Sequence, residues 1–344
     1  MSFINLKKKK VVSSNKTETH PEKPYSKSGP ILANTNISIC PKPFIDKISI
    51  VVTPDKSHGH EMYKAFFSDL GILTTLIDAP KPKNKEYTFA KRIVLDCLVD
   101  VKKYPHIQIG YDSQSQRITK FRLEFVPVDL QPTGMEELHI VLGGWIEDGW
   151  EYVRNHGQIT RLDIAMDFPN LYMESFLLLP AQGISSRTWS FDGRLQTVTL
   201  GKKSGNQTLI YDRGEKRKSK GQPFLGKVGV RVERRITKLG NSPVSKIASF
   251  KNPFATITLL EKIPPLPPVE ATSKPAKEHW QLFCDSVRVR QLTNALAVIS
   301  DERRTIYRKH LKQHAAPWWN PDAIWTHWPV MLEEMIFTGK LPLM

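Results

Sequence analysis

The stretch from Gln158 to Pro169, QITRLDIAMDFP, leaves this chain little freedom of fold. Apolar and polar residues alternate along it, which suits a strand with one packed face and one polar face. On that reading Arg161, Asp163, Ala165 and Asp167 share one side, and Leu162, Ile164 and Met166 take the other. Two carboxylates on one face repel each other and add nothing to folding. The pattern therefore asks for a compensating cation, either a divalent ion or Arg161. An edge strand with a solvated polar face fits the same residues.

Comparable runs recur. Lys47–Pro54 predicts a strand and His58–Gly71 a short helix closed by glycine. Extended segments are expected at His106–Asp112, Arg117–Pro127 and Glu137–Trp145, then a helix near Trp150–Arg154. Further strands are expected at Arg187–Asp192, Leu195–Gly201, Gln207–Arg213, Val228–Thr237 and Phe254–Glu261. Many strands with few intervening helices predict an α+β fold, an antiparallel sheet with packed helices followed by a small helical C-terminal region. No glycine-rich phosphate loop occurs.

The clearest boundary is KIPPLPPVEATSKP, where Pro264, Pro265, Pro267 and Pro268 exclude a regular element and predict a stiff linker over 262–274. Beyond it Ser273 is placed to cap a helix, and Trp280, Phe283, Val287, Leu292 and Leu296 form an apolar stripe. A second helix is expected after Ser300, and Trp318, Trp319, Trp325 and Trp328 are expected to pack as a cap on these helices. At the other end, residues 1–43 carry Lys7 to Lys10 in a row and scattered prolines, the composition of a disordered basic arm.

The 344 residues hold 50 Lys and Arg against 34 Asp and Glu, a formal net charge of +16, which points to a polyanionic partner, nucleic acid first. No apolar run is long enough to span a bilayer, and MSFINLKKKK has no apolar stretch of the secretory kind. Three widely spaced cysteines, Cys40, Cys97 and Cys284, suit a reducing compartment, so a cytoplasmic location with no membrane partner is expected.

Chemistry concentrates in two further segments. In KVGVRVERRI, Arg231, Glu233 and Arg235 share a strand face, a surface ion pair or an additional oxygen ligand. In LIYDRGEKRKSKG, Tyr211 ends a strand, and from Arg213 to Arg235 there are nine Lys or Arg against two Glu. A tyrosine hydroxyl attacks only with help from a base or positive charge, and a basic groove neutralises a phosphodiester.

The order R-L-D-x-A-x-D from Arg161 to Asp167, T-x-x-L-G-x-x-S from Thr197 to Ser204, LIYDR from Leu209 to Arg213, and R-V-E from Arg231 to Glu233 resembles the replication initiation factor family. That family comprises rolling-circle replication initiators of plasmids and related phage and mobilisable-element proteins. The likeness spans roughly residues 45 to 260. It implies a metal-dependent origin-nicking enzyme that forms a 5′-phosphotyrosine and releases a 3′-hydroxyl primer. Residues 44–261 would then be the catalytic nicking domain and 275–344 the helical C-terminal region.

Carried onto this sequence, the nucleophile is Tyr211, with Arg161, Arg213 and Arg231 as phosphate-binding catalytic residues. Asp163, Asp167 and Glu233 are the ligands of Mg²⁺ or Mn²⁺. Lys202, Lys203, Lys216, Arg217, Lys218 and Lys220 are the DNA contacts. Gly201 and Ser204 match the turn before the tyrosine strand. Arg213 stands where Lys is more usual, and Leu209 where many members place a basic residue. His106 does not make a paired-histidine motif, which favours carboxylate ligands. The implied partners are a double-stranded origin, single-stranded DNA, a host helicase and polymerase, and a second copy of the chain. A conjugative relaxase of the same chemistry and a non-catalytic DNA-binding regulator stay open as alternatives; convergence of Tyr211 with the carboxylates separates the latter.

Overall fold

The computed structural model describes residues 41–68, 75–179, 181, 184–191, 194–219, 221, 229–240, 242–335 and 337. Residues 1–40 of the expected arm lie outside them, as do Gly71 and Lys220. The first half comprises β1 (Phe44–Val52), α1 (Lys56–Ser68), β2 (Leu76–Asp78), β3 (Phe89–Ile93), β4 (His106–Asp112), β5 (Arg117–Phe125), α2 (Pro127–Gly143), α3 (Gly149–His156) and β6 (Gln158–Pro169). There follow β7 (Leu177–Leu179), β8 (Ser186–Phe191), β9 (Arg194–Leu200), β10 (Gln207–Asp212), α4 (Arg213–Ser219), β11 (Gly229–Ile236), β12 (Ser242–Pro243) and β13 (Thr258–Leu260). The chain closes with α5 (Lys274–Ala297), α6 (Asp301–Gln313), α7 (Pro321–Trp325) and α8 (Trp328–Glu334).

A single antiparallel sheet in the order β2-β3-β4-β5-β1-β6-β11-β10-β9-β8, with β12 beside β6, organises the molecule, as the α+β reading expects. β7 and β13 make a separate pair. One sheet face is apolar: Ile48, Ile50, Leu162, Ile164, Met166, Ile210 and Val232 are each sealed from solvent. Met62 and Phe66 of α1, Met135, Leu138 and Leu142 of α2, and Trp150 and Val153 of α3 join them in one core. Trp328, Leu332 and Phe337 reach the same core from the end of the chain. The indole N–H groups of Trp319, Trp325 and Trp328 donate to the carbonyl oxygens of Ile257, Phe250 and Ile247, so these rings bury area without stranding a donor. Among the described residues no helix is long and apolar enough to cross a membrane.

Two irregularities set the faces of the central strands. The β1–β6 register slips at Thr160, which keeps Ile159 and Leu162 both in the core, and again at Asp46. Each extra residue is a bulge that lets one strand carry two polar neighbours without turning its apolar set outward.

The α5 and α6 helices pack on β7 and β13 through Trp280, Phe283, Val287, Leu296, Tyr307 and Leu311. Ser273 and Ser300 cap them, accepting from Ala276 N and Arg303 N. The stripe's one five-residue step, Val287 to Leu292, is where Gln291 leaves helical geometry at φ 64°, resetting the apolar face. Residues 261–273 hold no regular element, and Pro264 and Pro268 are buried. Leu266 offers its carbonyl oxygen to His310 Nε2 at 3.0 Å, tying this segment to α6.

Of the expected strand Glu137–Trp145, Glu137–Gly143 is helix and Gly144 and Trp145 form a turn. Its β-branched pair Ile140 and Val141 suggested extension, but Met135, Leu138 and Leu142 are buried at helical spacing while Ile140 is exposed, and Pro132 follows directly on the break at Gln131 (φ 61°), where this helical segment begins. His139 of this helix stacks on Trp150 at 4.9 Å and is 5% exposed. Burial pushes its pKa down to about 4. It folds neutral and takes a proton in the unfolded chain near pH 6.5, so its contribution is complete above that pH and is lost as pH falls toward 4. The loss approaches roughly 3 kcal/mol. Urea midpoints at pH 7 and pH 4.5 are expected to diverge less in His139→Phe than in the parent.

Candidate active site

The sheet face opposite the helices carries the charges. β6 lies between β1 and β11, and β10 lies beyond β11, so cross-strand partners bring four segments of sequence together. Arg231 faces Asp167, Arg235 faces Asp163, Glu233 faces Ala165, and Tyr211 faces Arg231. Alternation on three adjacent strands thus places Tyr211, Asp163, Asp167, Glu233, Arg161 and Arg231 on one surface.

Tyr211 is 4% exposed, and its hydroxyl donates to Glu233 Oε2 at 3.2 Å. The Lys216 ammonium sits 3.5 Å from the centre of its ring, a cation–π contact supplied by α4. Burial drives the phenol's pKa well above its ordinary value; Arg231 opposes that shift, and Glu233 and Asp46 add to it. The resting tyrosine is therefore a protonated phenol held against a carboxylate, the arrangement of a nucleophile that needs its proton removed as it attacks.

Every carboxylate of the cluster is held by a guanidinium. Asp163, 1% exposed, accepts from Arg161 Nε at 3.0 Å and Nη2 at 2.5 Å, and from Arg235 Nε at 3.3 Å. Glu233 accepts from Arg235 Nη2 at 3.0 Å. Asp167 is gripped by Arg231 through Nε at 2.7 Å and Nη2 at 2.9 Å, and by Arg213 at 2.6 Å. Arg231 also bonds Asp46. Hydrogen bonding to Asp163 raises the pKa of Arg161; desolvation raises that of Asp46, with Arg231 pulling against it. Sequence reading missed Asp46. Its only trace was the polar pair Asp46-Lys47 interrupting the alternation of FIDKISI, the mark of the bulge.

This arrangement does not fit a preformed divalent site. Asp163, Asp167 and Glu233 already have guanidinium partners, and no three of the cluster's acids bring ligand oxygens within 4.8 Å of one another. Among the described residues that criterion is met by His58, Glu61 and Glu147. His58 and Glu61 belong to α1, which packs on the apolar sheet face, so this group stands across the sheet from Tyr211. Asp55 Oδ2 lies 2.7 Å from His58 Nδ1, which leaves Nε2 as the nitrogen for ligation.

The expected DNA contacts divide. Lys216, Arg217 and Lys218 lie on α4 directly after the tyrosine strand, Lys218 paired with Glu215 at 2.7 Å. Lys202 and Lys203 are exposed in the turn between β9 and β10, at the end of β10 away from Tyr211. Gly201 shapes that turn: its φ is +93°, and a Cβ there would stand 2.4 Å from the Asn206 carbonyl oxygen. Gly201→Ala is expected to cost of order 1–3 kcal/mol, measured as a lowered urea midpoint.

No protein-family model matches this chain, and no curated protein does. Among solved structures it is similar to one described as "Structure of Rolling Circle Replication Initiator Protein from Geobacillus stearothermophilus", at 13% identity and a TM-score of 0.37. That match covers 72% of this chain and 97% of the other.

Proposed function

We propose that this protein is a DNA strand-nicking transesterase, a replication initiator of the rolling-circle kind, with Tyr211 as its nucleophile. The observation that carries the reading is the Tyr211–Glu233 hydrogen bond of 3.2 Å with Arg231 on the facing strand position. It unites a nucleophile, a base and an anion-binding guanidinium from strands that sequence order alone does not join. The motifs from Arg161 to Glu233 that resemble replication initiation factors support the same reading.

In this mechanism Glu233 accepts the phenolic proton while the Tyr211 oxygen attacks the phosphorus in line. The new P–O(Tyr) bond forms as the P–O3′ bond breaks, and the departing 3′ oxygen takes a proton from water to become the primer hydroxyl. The guanidinium groups of Arg213 and Arg231 turn the N–H donors that their carboxylate forks leave over toward the scissile phosphate, and Arg161, six residues along β6 from Asp167, turns its own toward a neighbouring phosphate of the strand. Asp163 and Asp167 are the fixed struts that aim these forks. The phosphodiester energy is kept in the tyrosyl link, so a 3′-hydroxyl can reverse the step. With the carboxylates committed to arginines, no step is assigned to Mg²⁺ or Mn²⁺. All of these residues fall within 44–261, the segment proposed as the nicking domain, with 262–274 as connector and 275–344 as the C-terminal region.

The direct test is to incubate the protein with supercoiled DNA carrying the cognate origin, digest both polymers, and map the nucleotide-bearing peptide. Attachment at Tyr211 is expected; attachment at another residue, or nicking with no covalent species, removes the assignment.

A further inference from the structure

The cluster around Tyr211 is nearly neutral. Arg161, Arg213, Arg231 and Arg235 are matched by Asp46, Asp163, Asp167 and Glu233, and Lys216 over the Tyr211 ring adds one further positive charge. Affinity for a DNA strand comes chiefly from unmatched cations that displace its counterions, so the strand needs a hold elsewhere on this face. The sheet register shows where. Arg161 is paired with Ser49, Ser49 with Glu124, Glu124 with His106, and His106 with Arg92, a single row across five strands. That row leads from the catalytic cluster to a cavity of about 310 Å³ on the same face, lined by Lys47, Arg92, Lys102, Lys103, Tyr104 and His106 among others.

The balance of charge in the cavity is positive. Lys47 is paired with Glu124 at 2.6 Å and Lys103 with Asp129 at 3.2 Å. Arg92 donates to the Val101 carbonyl oxygen, and Lys102 makes no ion pair among the described residues. Between cavity and cluster, Arg122 spends its hydrogen bonds on the hydroxyls of Ser49 and Thr160, not on a carboxylate. Tyr104 adds an aromatic ring of the kind on which bases stack. Burial lowers the pKa of His106, so its ring is neutral near pH 7.

We infer that this cavity is a subsite for the single DNA strand flanking the scissile phosphate, holding its backbone through Arg92 and Lys102; the inference rests on the nicking function proposed above. Six strand-to-strand steps separate β10 from β3, about 29 Å at the usual spacing of roughly 4.8 Å, and the Arg161 row lies six residues along β6 from Asp167, which shares the row of Tyr211, roughly 20 Å along the strands. Together these put the cavity about 35 Å from Tyr211, some ten nucleotides at a helical spacing of about 3.4 Å, and fewer when the strand is stretched. The subsite therefore reads DNA several nucleotides from the cut.

The test uses the full chain and a fluorescent single-stranded oligonucleotide of about twelve nucleotides, titrated across a salt series by anisotropy. Arg92→Gln with Lys102→Gln is expected to weaken binding roughly tenfold and flatten the slope of log K against log salt by about 1.4, two phosphate contacts' worth. Lys64→Gln with Lys277→Gln, a charge-matched change at exposed positions of α1 and α5, is expected to leave the slope unaltered. An unchanged slope in the first variant overturns the subsite, as does an equal loss in the second or an absence of binding in the parent. Adduct mapping separates the two ideas: a Tyr211→Phe variant that binds normally and still becomes DNA-linked defeats the nicking mechanism without touching the binding result.

Discussion

Tyr211→Phe is expected to lower covalent capture of origin DNA by at least about 10⁴-fold while leaving the protein folded and its strand binding within twofold of the parent. The change removes one oxygen. Its recorded partner, Glu233, keeps Arg235 at 3.0 Å, so no carboxylate is orphaned and the stability cost should be about 1 kcal/mol. Glu233→Gln tests the base separately. It preserves size and a hydrogen-bonding group but cannot take the proton, and a fall of about 10²–10⁴ with attachment still at Tyr211 is expected. Because burial holds the phenol protonated well beyond its ordinary range, raising the pH to 9 should not rescue Glu233→Gln. Parent-like adduct formation by Tyr211→Phe would end the proposal.

The sheet was readable because its strands obey a period of two. Gln158–Pro169, Gln207–Asp212 and Gly229–Ile236 each separate an apolar from a polar side, and the structure places them as neighbours. The same period put Asp163 and Asp167 on one strand face and Arg231 and Glu233 on another, but not the pairing that joins those faces to each other and to Tyr211. Strand adjacency is a long-range property, fixed here by core residues such as Met166, Val232 and Ile210, which say nothing about partner identity when read singly. Three features were beyond local reading. The Asp46 bulge breaks the alternation that sequence reading relies on. The helix over Glu137–Gly143 has strand-like composition over four residues and helical spacing only over a longer window. The commitment of carboxylates to arginines is a competition between cations, and two candidates for one carboxylate look alike until geometry decides.

Arg231→Leu is expected to destabilise the protein by about 3–5 kcal/mol at pH 7, with a deficit that narrows as the pH is lowered. Arg231, its side chain 12% exposed, joins two acids at once, forking onto Asp167 and bonding Asp46. Removing it leaves Asp167 the Arg213 contact at 2.6 Å but takes from Asp46 its bond to the Arg231 guanidinium. Desolvation already raises the Asp46 pKa, with Arg231 as the leading opposing influence. Without the guanidinium the carboxyl moves further up, so the unfolded chain ionises at a pH where the folded one resists. An acid with a raised folded pKa is penalised as pH climbs through that value and relieved below its unfolded pKa near 4, which fixes the sign. Arg231→Lys keeps a charge but loses the fork, and should fall between. Adding Asp46→Asn to Arg231→Leu removes the stranded charge. The double variant should be more stable than Arg231→Leu alone near neutrality and show none of its excess pH dependence, the non-additivity expected of groups in direct contact. Urea unfolding of the four proteins of this cycle between pH 5 and 8 decides it, and strict additivity would mean that Arg231 supports the sheet through packing, not through the Asp46 pair.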